Sequence, residues 1–313
     1  MGACSSCAPW GSGTAPSRRG AAADVVVKIG GSACTIKAKF ETLNEFALTA
    51  ISSQLGYLAQ ENRRIAVIHG AGSFGHYQAK QYGVSKGQTG GKGPDNSNVL
   101  PPTLKDGFAR TRLSVTTLNK HIITSLLEQG LPAVAISPCP FVRTKGKKLA
   151  GDSLPSAAIE GTRGLLDRGL VPVVHGDAVI DDIQSVAILS GDIWMVQLCR
   201  ELCPKSAVFV TDVDGVLTKP PSEPDAQLIR EIWVKPDGEL ELGNVAMNCA
   251  AHDVTGGLSA KLKCAADVLL QAPSVSAVYI VRAGSRAAWQ ALRGEAPSEG
   301  TTLRRQSSQV PKG

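Results

Sequence analysis

The chain has 313 residues, of which 43% are hydrophobic and only 4% aromatic, and its formal net charge is +6 at pH 7. It contains no block of lysine and arginine interleaved with aromatic residues, which argues against a nucleic-acid-binding protein. It also has no apolar run of about 18 residues, which argues against a transmembrane helix. The eight cysteines lack the paired spacing of a zinc site, so we expect reduced thiols and a cytoplasmic location.

Residues 1–23 are predicted to form a disordered tail, because they are rich in Gly, Ala, Ser and Pro and contain no acidic residue. Their first six residues, MGACSS, fit the pattern for N-myristoylation, and Cys4 and Cys7 are placed for palmitoylation. The same composition also fits an organelle transit peptide. A plain flexible tail is favoured over both. Residues 24–304 are predicted to form a single domain, and residues 305–313 a second tail.

Strands and helices alternate from residue 24 onward, which predicts an α/β fold with a largely parallel sheet covered on both faces. Residues 83–102 are rich in Gly, Asn, Pro and Lys and predict a long loop, and residues 141–154 predict a basic hairpin. The predicted strands are 25–29, 64–69, 133–137, 170–175, 207–211 and 277–282. The predicted helices are 40–62, 104–129, 157–168 and one after Gly191.

The sequence VVVKIGGSACTIK, residues 25–37, predicts a buried strand that runs into a glycine turn. Gly30 and Gly31 let the backbone turn tightly with its N–H groups exposed, which is typical of an anion-binding site. Lys28 and Lys37 would add positive charge beside that turn. A Gly-Gly turn after a strand also occurs for purely structural reasons.

A second strand runs into the sequence HGAGSFGH, residues 69–76. Its glycines match the dinucleotide-binding fingerprint, but that fingerprint requires an acidic residue at the end of the next strand, and here the following region is the predicted loop. A phosphate-binding turn at a helix N-terminus fits better. His76 would lie just inside this helix, where it can donate a hydrogen bond to an anion.

Four further segments repeat this kind of chemistry. The sequence VVHGD at 173–177 again joins a strand to His and Gly, and SGD at 190–192 is typical of a helix N-cap. The sequence FVTDVDGV at 209–216 brings two carboxylates to a strand end, where they could hold Mg²⁺, orient lysines, accept a ribose hydroxyl or simply form a turn. Residues 253–263 place Gly-Gly before Lys261 and Lys263. No GxxxxGK[ST] motif occurs, so the chain is not a P-loop enzyme.

The ordered set KIGGS, HGAGSFGH, HGD, SGD, TDVDG and DVTGG-x3-K resembles the amino acid kinase superfamily, and the SFGH ending at His76 resembles its isopentenyl phosphate kinase family. Gly300-Thr301 resembles the superfamily's closing Gly-Thr. The resemblance implies a three-layer αβα sandwich with a mainly parallel central sheet, one catalytic domain and a homodimer. It also implies transfer of the γ-phosphate of ATP, with Mg²⁺, to isopentenyl phosphate. One departure is Ala71, where many members have a third glycine.

The resemblance also implies a role for each matching residue. Lys28 would bridge the transferring phosphoryl group, Lys261 would hold the ATP β- and γ-phosphates, Asp192 would orient both lysines, and Asp212 would lie beside the nucleotide. His76 would read the phosphate of the acceptor, and no residue is assigned as a metal ligand. The residues implied to bind ATP through their amides are Gly30, Gly31, Ser32, Gly72 and Gly257. The residues implied to bind the acceptor besides His76 are Lys37, Ala71, Gly72 and Gly176.

Two alternatives stay open from the sequence. The same fold phosphorylates carboxylates, carbamate, nucleoside monophosphates and a phosphonate, although His76 favours a phosphate or phosphonate acceptor. The chain could also be a nucleotide-binding relative without turnover, against which the presence of both Lys28 and Lys261 argues. The apolar face of the helix at residues 40–58 would form either a wall for an isoprenoid tail or ordinary core packing.

Overall fold

The computed structural model describes residues 21–88, 99–242 and 256–306. The strands within these ranges are β1 (Val25–Ile29), β2 (Ile65–His69), β3 (Ala133–Ile136), β4 (Thr144–Lys145), β5 (Lys148–Leu149), β6 (Val171–His175), β7 (Asp177–Asp181), β8 (Ser185–Leu189), β9 (Ser206–Thr211), β10 (Val216–Leu217), β11 (Leu228–Ile229), β12 (Glu231–Val234), β13 (Leu240–Leu242), β14 (Ala277–Arg282) and β15 (Thr301–Arg305). The helices are α1 (Gly31–Cys34), α2 (Glu45–Gln60), α3 (Gly72–Gln81), α4 (Pro102–Glu128), α5 (Ser156–Leu166), α6 (Gly191–Leu202), α7 (Gly256–Gln271) and α8 (Arg286–Leu292).

Nine strands form one central sheet in the order β13-β12-β15-β14-β9-β1-β2-β6-β3. Its strand pairs are parallel except β12–β13 and β14–β15, which are antiparallel. A second sheet has the order β5-β4-β7-β8, and β10 pairs with β11. This mainly parallel sheet confirms the predicted fold class.

Helices cover both faces of the central sheet, as the alternation of side chains along its strands requires. Val26 lies in a core cluster with Trp194 of α6. Val27, one residue later, lies in the opposite cluster with Ile51 of α2 and Leu118 of α4. β1, β2, β6, β9 and β14 were predictable because each is a nearly continuous apolar run, as expected of a parallel strand covered on both faces.

Several segments differ from the predicted elements: β10 to β13, β15 and α8 were not predicted, and two further differences lie in α2 and in the hairpin of β7 and β8. Helix α2 begins at Glu45, not at residue 40, because residues 35–43 form a strap that closes through a bridge between Thr35 and Leu43 and because Asn44 caps the helix. The hairpin of β7 and β8 was not predicted, since its turn at residues 182–184 contains neither Gly nor Pro.

The predicted basic hairpin is confirmed by the antiparallel pair β4–β5. Of the predicted long loop, residues 89–98 lie outside the described residues, and helix α4 begins at its end with Pro102. Among the helices that the structure describes, none combines the length and the apolar character that a membrane crossing needs.

Candidate active site

Three strand ends of the central sheet carry the predicted glycine turns side by side. In each turn the N–H of the first glycine extends the parallel ladder by one hydrogen bond to the neighbouring strand, so the free amides come only after it. These ladder bonds are Gly30 N–H to Val210 O at 2.8 Å, Gly70 N–H to Ile29 O at 3.0 Å and Gly176 N–H to His69 O at 3.3 Å. Among the described residues, no acceptor contacts the N–H groups of Gly31, Ser32, Ala71 and Gly72. The site therefore offers four unpaired donors from two adjacent turns.

The two turns interlock, and this explains their glycines. A Cβ on Gly31 would lie 2.7 Å from the Cα of Gly72, and Gly72 itself has a φ of +53°, which favours glycine. The Thr35 hydroxyl joins the turns, because it donates to Gly31 O at 2.6 Å and accepts from Ser73 N–H at 2.9 Å. Packing this tight fixes the spacing between the two sets of free amides.

The predicted site residues lie around one cleft of about 1220 Å³ at this edge of the sheet. Its lining includes Lys28, Gly30, Gly31, Ser32, Lys37, Ala71, Gly72, His76, Gly176, Asp192, Asp212 and Lys261. Gly257 lies in the first turn of α7, next to Leu258, which also lines the cleft. Residues 253–255 of the same predicted turn lie outside the described residues.

Lys28 lines this cleft and forms an ion pair with Asp192 at the N-terminus of α6. The Ser190 hydroxyl caps α6 by accepting from Asp192 N–H at 3.1 Å and donates to the Asp192 carboxylate at 2.9 Å. Burial raises the pKa of Asp192, but the charge of Lys28 and the hydrogen bonds from Lys28 and Ser190 together lower it by more. The pKa of Asp192 is therefore below its usual value. Asp192 is therefore an ionised anchor for Lys28.

Lys261 reaches the same cleft from α7. Its ammonium group donates to the Thr211 hydroxyl at 3.1 Å, which in turn donates to the Asp212 carboxylate at 3.0 Å. Burial lowers the pKa of Lys261 to about 8, with repulsion from Lys28 and Lys37 acting in the same direction and attraction to Asp212 opposing it. The positive charges of these lysines repel one another, and bound phosphate groups would stabilise them.

His76 faces the cleft from the second turn of α3, and Lys37 faces it from the strap. The strap is held to α3 because Tyr77 Oη donates to the Lys37 carbonyl oxygen at 3.1 Å and Thr42 N–H donates to Ser73 Oγ at 3.2 Å. Burial and the charge of Lys37 lower the pKa of His76, so the imidazole is neutral near pH 7. A neutral imidazole still carries one N–H donor for an anion.

The methyl group of Ala71, the one departure from the usual glycines, is housed by Gly75. A Cβ on Gly75 would lie 2.7 Å from the Ala71 methyl and 2.5 Å from Val115. The amide of Gly176 is already paired, so this residue does not offer a free N–H group. A glycine is needed here because a Cβ would lie 2.9 Å from Leu189 O.

Two groups of apolar residues also line the cleft. One group comes from α3, α4 and β8 and includes Ala79, Val115 and Ile188, and the buried Thr111 hydroxyl, for which no partner is described, belongs to the same part of the lining. The other group comes from β10, β11, β13 and α7 and includes Val216, Leu217, Ile229, Leu240, Leu258 and Leu262. No residue of α2 lines the cleft, and its apolar face is part of the core, so ordinary packing was the correct alternative for that helix.

Several polar residues that hydrogen-bond to the site residues and turns were not predicted from the sequence. Thr211 was visible only as the residue before Asp212, and His69 only through the repeated strand-His-Gly pattern. Asn119, which contacts His69, comes from the middle of α4 with no local signal. Among the described residues, no group of three or more His, Cys, Asp or Glu side chains could hold a metal ion.

Residues 25–281 match the model of the Amino acid kinase family. The chain belongs to this family. Among its relatives, the isopentenyl phosphate kinase of Arabidopsis thaliana is 34% identical, over 86% of this chain and 90% of the relative. That of Methanothermobacter thermautotrophicus is also 34% identical, over 76% of this chain and 84% of the relative. An X-ray structure of isopentenyl phosphate kinase superposes with a TM-score of 0.68 at 29% identity, covering 89% of this chain and 99% of that one. These findings confirm the resemblance inferred from the motifs.

Proposed function

We propose that this amino acid kinase family member transfers the γ-phosphoryl group of ATP to isopentenyl phosphate and forms isopentenyl diphosphate. The observation that carries the proposal is the composition of one cleft. Lys28 lies on β1, between β9, whose Thr211 accepts from Lys261, and β2, which leads into α3 and His76. Two phosphate-bearing molecules can therefore bind on the two sides of Lys28 and meet there. The activity named for the relatives supports this assignment.

The charges of the reactants explain why such a site needs cations more than a nucleophile. At a separation of about 4 Å, two unit charges of like sign repel by about 1 kcal/mol in water and by about 4 kcal/mol at an effective dielectric constant near 20. ATP and an alkyl phosphate carry several such charges between them. Phosphoryl transfer is accordingly catalysed by positioning and charge stabilisation.

The residues then take distinct roles. Lys28 bridges the donor and acceptor oxygens, and Lys261 holds the β- and γ-phosphates, with the free amides of Gly31 and Ser32 beside them. Asp192 orients Lys28 and does not act as a base, because a phosphate acceptor is already ionised. Magnesium would enter bound to ATP and supply further charge neutralisation, with Asp212 as a neighbouring carboxylate.

The acceptor end fits a short apolar chain attached to a phosphate. His76, Lys37 and the free amides of Ala71 and Gly72 would bind the phosphate. The apolar wall formed by Ala79, Val115 and Ile188 would then contact the hydrocarbon tail. A carboxylate or amino acid acceptor would leave this apolar wall without a partner, which favours the isoprenoid monophosphate over the other acceptors of the fold.

An acceptor screen tests the function directly. Purified protein with Mg-ATP is offered isopentenyl phosphate, dimethylallyl phosphate, UMP, glutamate and fosfomycin, and ADP release is coupled to a spectroscopic readout. We expect turnover with the isopentenyl and dimethylallyl phosphates. Turnover with glutamate or UMP alone would replace the proposed acceptor, and binding of ATP without turnover on any acceptor would support a non-catalytic relative.

His76 gives the sharpest test of the acceptor site. A hydrogen bond to a charged group contributes about 1.5–3 kcal/mol, so His76→Ala should lower kcat/KM for isopentenyl phosphate roughly ten- to a hundred-fold. The KM for ATP should change little, and His76→Gln, which keeps a donor, should lose less. His121→Ala, at an exposed histidine of α4, is the matched control. A variant of His76 that weakens ATP and spares isopentenyl phosphate would overturn this role.

The homodimer implied by the resemblance and a cytoplasmic location also belong to this proposal. The five described cysteines are free thiols, four of them buried, which supports a reducing compartment. Light scattering on the purified protein measures the oligomeric state.

A further inference from the structure

A buried histidine lies directly behind the acceptor site. His69 is the last residue of β2 and is 0% exposed. Its Nδ1 lies 3.0 Å from the carbonyl oxygen of Gly70, and its Nε2 lies 3.0 Å from Nδ2 of Asn119. The roles assigned above do not use this side chain, although the next two residues, Gly70 and Ala71, line the cleft.

The partners of His69 allow only one arrangement of protons. A carbonyl oxygen is only an acceptor, so Nδ1 must carry the proton and donate to Gly70 O. Burial, together with repulsion from His175, lowers the pKa of His69 to about 3, so the ring is neutral and Nε2 is unprotonated and carries a lone pair. Nε2 must then accept, and the Asn119 amide supplies the donor. Asn119 thus fixes the tautomer in which His69 Nδ1 donates to the Gly70 carbonyl oxygen.

Holding this carbonyl also fixes the direction of the next amide. In a trans peptide the C=O and N–H groups point in opposite directions. With the Gly70 carbonyl turned inward to His69, the Ala71 N–H points outward to the cleft, where no described residue accepts from it. A rotated peptide would present a carbonyl oxygen to the acceptor phosphate and repel it.

We infer that His69, locked by Asn119, is a positioning residue that aims the Ala71 N–H at the phosphate of the acceptor. The inference rests on the proposed function for the identity of that acceptor, although the geometry concerns any phosphate bound there. The next strand repeats the device, because His175 at the end of β6 places Nδ1 3.0 Å from Gly176 O. The two rings stack with centroids 5.2 Å apart, so each limits the rotation of the other. The same local contact therefore occurs at both copies of the strand-His-Gly pattern.

Kinetics separate this role from a merely structural one. His69→Leu fills the space without a donor and should raise the KM for isopentenyl phosphate ten-fold or more, with the KM for ATP changed less than two-fold. His69→Asn places a side-chain N–H near the position of Nδ1 and should recover most of the loss. Ser52→Ala, which removes a buried hydrogen bond to Ser125 on the α2 side of α4, is the control and should leave both KM values unchanged.

A measurement on the unaltered protein keeps the inference testable if His69→Leu does not fold. With ¹⁵N-alanine labelling, the Ala71 amide signal, identified by its loss in Ala71→Gly, should shift downfield when inorganic phosphate is added. In Asn119→Leu the shift should shrink and the KM for isopentenyl phosphate should rise three- to ten-fold. An Ala71 signal that phosphate leaves unmoved, or equal KM values in His69→Leu and wild type, would overturn the inference. Failure of the acceptor screen alone would instead overturn the proposed function, since the phosphate titration does not depend on it.

Discussion

Lys28 and Lys261 are two cations that converge on one point from different elements of the fold. Removing either should lower kcat by about 10²–10³-fold, because an electrostatic contact to the transferring group in a dry site contributes about 3–4 kcal/mol. The test is steady-state kinetics of Lys28→Ala and Lys261→Ala, with thermal melting to confirm that each variant is folded. Lys235→Ala, which removes a partly exposed lysine paired with Glu239 at 3.0 Å, is the control. Near-normal turnover in a folded variant would remove that lysine from the mechanism.

The depressed pKa of Lys261, about 8, predicts a pH dependence for ATP capture. The cationic form is the one that binds phosphates, and it is lost as the pH rises through about 8. We therefore expect kcat/KM for ATP, which reports the free enzyme, to fall above pH 8. In Lys261→Arg the guanidinium stays protonated, so whatever activity remains should lack this fall. A wild-type profile flat to pH 9.5 would show that Lys261 titrates higher in solution.

At the scale of the elements, the Gly300-Thr301 pair at the start of β15 has a structural role. The Thr301 hydroxyl is buried, donates to Ile229 O at 2.6 Å and accepts from Val216 N–H at 2.8 Å, so it fastens the turn after Asp212 to β11. Thr301→Val should lower the free energy of unfolding by about 1–3 kcal/mol, because it leaves a buried amide unpaired. Denaturant titration measures this, with Thr302→Val as the control at a buried threonine for which no side-chain hydrogen bond is described. Thr301→Ser should retain most of the stability, and equal losses at both positions would contradict the fastening role.

Elements that carry their own signal were predictable, and elements that depend on distant partners were not. β1 and β14 were predicted to the residue because buried parallel strands are continuous apolar runs. Residues 40–43 of the strap were predicted as the start of a helix, because the contacts that hold the strap come from Ser73 and Tyr77 of α3. Tertiary contacts of this kind override local helical spacing.

The candidate site follows the same rule. Its glycines and lysines were found because a phosphate turn demands them at fixed positions along the chain. The residues that hold those turns in place, Thr35 between two glycines and Asn119 behind His69, came only from the structure. Neither residue type is unusual in its local sequence, and each gains its role from a partner 38 or 50 residues away.

At the scale of the whole molecule, the cleft lies at the carboxyl edge of the sheet, and the chain enters the fold at the opposite, amino end of β1. Ala22 and Ala23 are buried there, and their N–H groups donate to Leu202 O at 2.8 and 3.3 Å. The predicted domain boundary at residue 24 stays a prediction. Because these contacts lie at the end of β1 opposite the cleft, we expect their loss to lower the stability of the protein and to leave catalysis unchanged.

Two truncated proteins test that separation. A chain beginning at Ala21 should match the full chain in kcat, in both KM values and in stability. A chain beginning at Asp24 should keep its kinetic constants but unfold with a free energy lower by about 1–3 kcal/mol, because two buried methyl groups and two backbone hydrogen bonds are lost. Urea titration and steady-state kinetics at 25 °C measure both quantities. A folded chain from Asp24 with impaired turnover would mean that the N-terminal residues act on the cleft, and a chain from Asp24 as stable as the one from Ala21 would mean that the contacts with Leu202 contribute nothing.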